Sequence, residues 1–110
     1  MERRFSSRAQ VDVPVTAYVD GARHACRVID LSASGMVFQR NSSLAAGELP
    51  EVNRFELFLG PNRPIRARAR SVWGRGGLQA VSFVLIHDVD RLVIAEHLDR
   101  LSRLQQQLLH

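Results

Sequence analysis

The sequence predicts an α+β chain that is mainly β: a six-stranded antiparallel barrel followed by one C-terminal helix. Two observations lead there. Apolar residues alternate with polar ones in short segments separated by turn formers, which is the period of a half-buried strand; after Asp88 the spacing lengthens to three and four, that of an amphipathic helix. Strands first and helix last is an α+β order, and six short strands at this spacing suggest a barrel. With 110 residues, 45% of them apolar, the chain can bury one core and has no room for a second domain.

The elements follow in order. Val11, Val13, Val15, Ala17 and Val19 alternate with polar partners in strand 1. Pro14 falls on the polar face and, lacking an N–H for the ladder, argues for an edge or a bulge. Asp20-Gly21 supplies a hairpin turn. In strand 2, Ala22 to Leu31, Cys26 and Val28 lie in one phase and Ile29 and Leu31 in the other, which predicts a bulge or a twist near Val28. The turn formers Asp30 to Gly35 separate it from strand 3, marked by Met36 and Phe38. A polar connection from Asn41 to Asn53 precedes strand 4, with Phe55, Leu57 and Leu59. Strand 5 sets Ile65, Ala67 and Ala69 against Arg66, Arg68 and Arg70, Gly74 to Gly77 reverses the chain, and Leu78 to Ile86 form strand 6. The barrel is thus expected over 11–87, behind a flexible arginine-rich arm at 1–10. The helix is expected over 88–109, with Ile94, Leu98, Leu101, Leu104 and Leu108 as its stripe.

Several classes of function are set aside. Cys26 is the single cysteine, which excludes an internal disulfide and fits a reducing compartment. A polar N-terminus without an apolar segment behind it, and no apolar run of membrane-spanning length, point to the cytoplasm without membrane insertion. The four histidines, His24, His87, His97 and His110, have no zinc-motif spacing. No nucleophile elbow or phosphate-cradling loop occurs. The expectation is a non-enzymatic chain with no metal and no cofactor. Fifteen arginines and no lysine, against eleven acids, give a net charge of +4. Use of arginine for lysine throughout accounts for most of that, so placement carries the information. A guanidinium grips phosphate or a guanine edge with two parallel bonds where an ammonium is only a point charge.

Two placements stand out. Glu2-Arg3-Arg4-Phe5-Ser6-Ser7-Arg8 sets three arginines before the first strand, with Arg4 and Arg8 at Arg-x-x-x-Arg spacing; about twenty residues on comes Asp30-Leu31-Ser32-Ala33-Ser34-Gly35. Each alone is common. In this order, with a strand and an Asp-Gly hairpin between them and strands and a helix after, they resemble the two defining motifs of the PilZ family, and the resemblance covers essentially the whole chain. The residue types suit a cyclic dinucleotide, which needs cations for two phosphates, forked donors for guanine O6 and N7, and an acceptor for the guanine amine edge.

The resemblance implies a receptor for cyclic di-GMP. Arg4 and Arg8 would clamp the ligand, while Asp30, Ser32 and Gly35 would line the guanine site. Ser32 would add a hydroxyl contact, and Gly35 a tight turn or positive φ where a side chain would collide with ligand. Arg3, just before the Arg-x-x-x-Arg motif, is similar to members that bind an intercalated ligand pair. Trp73, at the end of strand 5, lies in a region from which some members contribute a ligand contact, and is equally readable as a barrel-rim aromatic. Strand 6 departs from the family pattern at Gln79 and Ala80, which touches strand packing more than the ligand motifs.

The function expected is a receptor that passes the messenger signal to a downstream protein. The family also holds members that bind no nucleotide, so a PilZ-like adaptor acting through protein contacts is the alternative. The helix stripe nearly fills a heptad seam, interrupted by Gln105, and could pack on its own barrel or pair with a second copy in a homodimer. Nucleic-acid binding through Arg66, Arg68 and Arg70 is disfavoured, because no aromatic residue interleaves with them.

Overall fold

A computed structural model describes residues 8–41, 52–60 and 63–109. Strands β1 (Arg8–Val19), β2 (Ala22–Ser32), β3 (Gly35–Gln39), β4 (Val52–Leu57), β5 (Ile65–Arg75) and β6 (Leu78–Ile86) precede helix α1 (Asp88–Leu109). They close in the order β1-β2-β3-β6-β5-β4, with every pairing antiparallel. The mainly-β barrel with one terminal helix is therefore as the alternation predicts. Strand β1 begins at Arg8, three residues earlier than its apolar alternation suggests, so Arg8 belongs to the ladder, opposite Ser32, and not to the arm.

Two tight hairpins depend on positive φ at both central positions, as type I′ turns require. Asp20 and Gly21 have φ of 52° and 81°, joining Val19 to Ala22; Gly76 and Gly77 have 59° and 83°, joining Arg75 to Leu78. The reversal thus uses the last two residues of Gly74–Gly77, and β5 runs on through Trp73 and Gly74. Pro14 is accommodated without an edge strand. In a strand, the N–H and C=O of one residue point to the same side, and the Pro14 carbonyl accepts from Phe58 N at 3.1 Å. Its missing donor therefore faces β4 just beyond the end of the β1–β4 ladder, whose last pair is Val15–Leu57.

Inward-facing residues of all six strands fill the barrel, from Val15, Val28 and Phe38 to Leu57, Ala69 and Val81. Phe38 and Phe55 meet edge to face, with ring centroids 5.3 Å apart, and tie β3 to β4 across the interior. Ile94 and Leu98 of α1 are buried in the same core, and Leu101 packs at its margin. The stripe outruns the barrel, because Leu104 and Leu108 are 53% and 85% exposed. At its start the helix is pinned by Asp90, buried and paired with Arg63 at 3.0 Å. No described helix is long and apolar enough to cross a membrane.

Candidate ligand-binding site

Bulges decide which side chains reach the outside of the wall. Val28 is fully buried and faces the interior; strict alternation would also turn Asp30 inward, where an unpaired carboxylate is costly. The ladder slips instead: Val28 pairs with Phe38 and Asp30 with Val37, leaving Ile29 as the extra residue. The expected bulge is thus present, and its effect is to put Asp30 outside and Leu31 inside. A second bulge does the same on β5, where Ser71 pairs with Val81 and Trp73 with Ala80, leaving Val72 unpaired. Trp73, of the same parity as buried Ala69, is thereby turned out and is 43% exposed.

The pairings Asp30–Val37, Val37–Ala80 and Ala80–Trp73 make these four residues one cross-strand row over β2, β3, β6 and β5. Three strand spacings separate its ends, roughly 14 Å. Between them lie the small apolar residues Val37 and Ala80. The neighbouring row carries Gly35 and the exposed Ser82. Gln79, buried beside this row, donates from Nε2 to the Trp73 carbonyl at 2.9 Å and accepts from Arg40 Nη2 at 2.6 Å, which braces the bulge. Of the two positions that depart from the family pattern, Ala80 thus lies between Asp30 and Trp73 and Gln79 in the row beside it. The Arg75 guanidinium sits 6.0 Å from the Trp73 ring centroid and brings a cation to that end. Gln79 carries no sequence signal for this role and is brought here by the β5–β6 register, whereas Arg75 sits two residues from Trp73 on the same strand face.

At the other end Arg8 Nη1 stands 3.6 Å from Asp30 Oδ2, with side chains 56% and 31% exposed. Such a solvated pair is worth no more than about 1 kcal/mol, so either partner can exchange it for another group at little cost. Arg8, Asp30, Ser32 and Gly35 are therefore brought together. Arg3 and Arg4 lie outside the described residues.

Ser32 and Gly35 shape this corner in ways the sequence does not reveal. The Ser32 hydroxyl is buried; its oxygen accepts from Ser34 N and Gly35 N, each at 3.2 Å, and lies 3.1 Å from Ser34 Oγ. It organises the turn from within. Gly35 does not have positive φ among the described residues. A Cβ there would lie 2.3 Å from the Val81 carbonyl oxygen, so glycine is required by the close approach of β3 to β6 and not by the turn. From outside, Arg91 of α1 donates from Nη1 to the Ala33 carbonyl at 2.7 Å. The turn is thus held by its own serine and by the helix.

Comparison with known proteins agrees with this fold. The family model described as PilZ domain matches residues 2–102. Among solved structures, the Bacillus subtilis inhibitor of motility MotI/DgrA superposes with a TM-score of 0.76 at 15% identity, covering 93% of this chain and 52% of that one. PlzA of Borreliella burgdorferi, solved in complex with c-di-GMP, gives 0.64 at 16% identity, covering 88% of this chain and 41% of PlzA. The uncharacterised Legionella protein Lpg0364 gives 0.61 at 13% identity, covering 91% and 98%. This chain therefore spans about half of the MotI/DgrA chain. No curated protein sequence matches significantly.

Proposed function

Because this chain belongs to the PilZ family, we propose that it is a cyclic di-GMP receptor, and that its N-terminal arginines close over ligand lying along the Asp30–Trp73 row. The observation that carries this is the outward Asp30 with Arg8 beside it, at the end of a row whose far end is an outward tryptophan. Asp30 supplies an acceptor for the guanine N1–H and amine edge. Arg8, released from a weak ion pair, offers a fork to guanine O6 and N7 or to phosphate, and Arg4 a second one. Trp73 with Arg75 forms a stacking edge for the other end of the ligand. Ser32 acts through the turn it holds. Arg3 favours a stacked ligand pair.

Ordering of the arm on ligand changes the surface that a protein partner reads, which is how such a module would transmit the signal. MotI/DgrA, an inhibitor of motility by its name, is a protein of similar fold whose action is on a process outside itself.

Calorimetric titration tests the reading. Cyclic di-GMP should bind saturably while GMP and cyclic GMP do not, a stacked pair giving two ligands per chain. Arg4→Ala and Arg8→Ala should each abolish binding with the fold intact; retained affinity in both would overturn the assignment. Should the folded chain bind no cyclic di-GMP, the adaptor reading replaces it, and the exposed Leu104 and Leu108 would be the first surface to probe for a partner or a second copy.

A further inference from the structure

The side of the barrel across from the β2–β3 turn carries a second surface with a different chemistry. In the closed order, the β4–β5 seam lies diametrically opposite the β2–β3 seam. The pairings Tyr18–Arg54, Arg54–Arg68 and Arg68–Leu85 make one outer row over β1, β4, β5 and β6. Along β5, Arg66 and Arg70 flank Arg68 at the same-face spacing of ~6.7 Å. Glu56 is the one carboxylate among the groove residues, and it is already engaged: its Oε1 accepts from Tyr18 Oη at 2.8 Å and its Oε2 from Arg66 Nε at 3.0 Å. Arg54 stacks over the Tyr18 ring at 4.8 Å. Arg68 has no ion pair among the described residues.

This arrangement works against folding. Like charges directly opposite each other on neighbouring strands are destabilising, and Arg54 faces Arg68 across the β4–β5 ladder. Exposed apolar surface adjoins the same point. The β5–β6 register slips between Arg68–Leu85 and Ala69–Phe83, so that Val84 is a bulge residue, and Val84 and Leu85 are 45% and 62% exposed. Between the cations and Leu85 lies a groove of about 270 Å³, with His87 at its rim.

The geometry points to this face as a docking surface for an acidic protein segment bearing an apolar anchor residue. Its carboxylates would meet Arg54, Arg66 and Arg68, and its anchor would enter the groove beside Leu85. Charge complementarity selects the acid, and the exposed apolar bulge selects a peptide over a phosphate chain. Nucleic acid fits less well: Phe55 is buried in the core and the Tyr18 ring is covered by Arg54, which leaves neither ring open to stack on a base. The inference does not depend on the nucleotide reading, since the two surfaces share no residue.

Amide shifts in a two-dimensional NMR titration of the full chain test it, using a short glutamate-rich peptide with a single tryptophan as probe. A lysine-for-glutamate version and a poly-dT oligonucleotide serve as comparisons. The glutamate peptide should move Tyr18, Arg54, Arg68 and Leu85 and leave Asp30 and Ser32 unmoved, with affinity falling as salt rises. Arg68→Glu should weaken binding about tenfold or more, a loss of the order expected for reversing one facing charge. The same substitution should raise Tm by relieving the Arg54–Arg68 repulsion, which separates lost binding from lost folding. No shift with the glutamate peptide, equal shifts with the lysine peptide, unchanged binding by Arg68→Glu, or shifts with poly-dT alone would each overturn the assignment, the last in favour of nucleic acid.

Discussion

Asp30 and Trp73 stand at opposite ends of one cross-strand row, each turned outward by a bulge residue immediately before it, Ile29 in one case and Val72 in the other. Trp73 is the only tryptophan in the chain, so its emission reports on that row alone. Cyclic di-GMP should shift the emission to the blue and protect it from acrylamide quenching. Trp73→Ala should weaken binding several-fold, by about 1–2 kcal/mol for one lost stacking contact, and Asp30→Ala should remove it within the range of a calorimeter. Emission indifferent to saturating ligand would place the nucleotide elsewhere.

Gly35→Ala should destabilise the barrel by about 2–3 kcal/mol, because its Cβ would press on the Val81 backbone carbonyl, which cannot swing aside as a side chain could. Urea denaturation measures this. Loss of stability without change in m-value would identify local overpacking; an unaffected midpoint would mean that β3 and β6 can separate freely.

Arg91→Ala removes the hydrogen bond from the helix to the Ala33 carbonyl. A cost of about 1–2 kcal/mol follows from losing a charged donor at a partly buried site. Amide exchange should accelerate at Ser34 and Gly35, whose N–H groups point to Ser32 Oγ. Unchanged exchange there would show that Ser32 alone fixes the turn.

Burial, followed by the charge of Arg100, lowers the His97 pKa below its ordinary value of 6.5. The folded chain therefore keeps His97 neutral where the unfolded chain binds a proton. The unfolded state then holds more protons, so the His97 contribution is fully present above about pH 6.5 and is lost as pH falls through the lowered folded value. His97→Gln should flatten the slope of Tm against pH in that window. An identical slope in the variant would assign the dependence to carboxylates.

The strands and hairpins were legible because their signals are local. Two-residue alternation, Asp20-Gly21 and the phase conflict between Val28 and Ile29 each lie within a few residues of what they determine. The Val72 bulge left no such mark, since Ser71, Val72 and Trp73 tolerate either face. The first turn of β1 was also hidden: Arg8, Ala9 and Gln10 offer no strongly apolar residue, and the strand extends there only because Ser32 and Asp30 pair with it. At the candidate site, residue types were readable, but the reasons for two of them were not. Gly35 answers to Val81, forty-six positions away, and Ser32 spends its hydroxyl inside the turn. The burial of Asp90 likewise rests on Arg63, from a segment with no sequence link to the helix.

Closure of the sheet between β1 and β4 has a consequence for how anything recognises this wall. Over the stretches where a strand is hydrogen-bonded on both sides, such as Val15–Tyr18 of β1 between β2 and β4, the main chain has no vacant donors or acceptors to offer, and an incoming segment cannot be annealed there as an additional strand. Selectivity then resides in the outward side chains, and point substitutions in this domain can redirect its choice of ligand or partner while leaving the scaffold untouched.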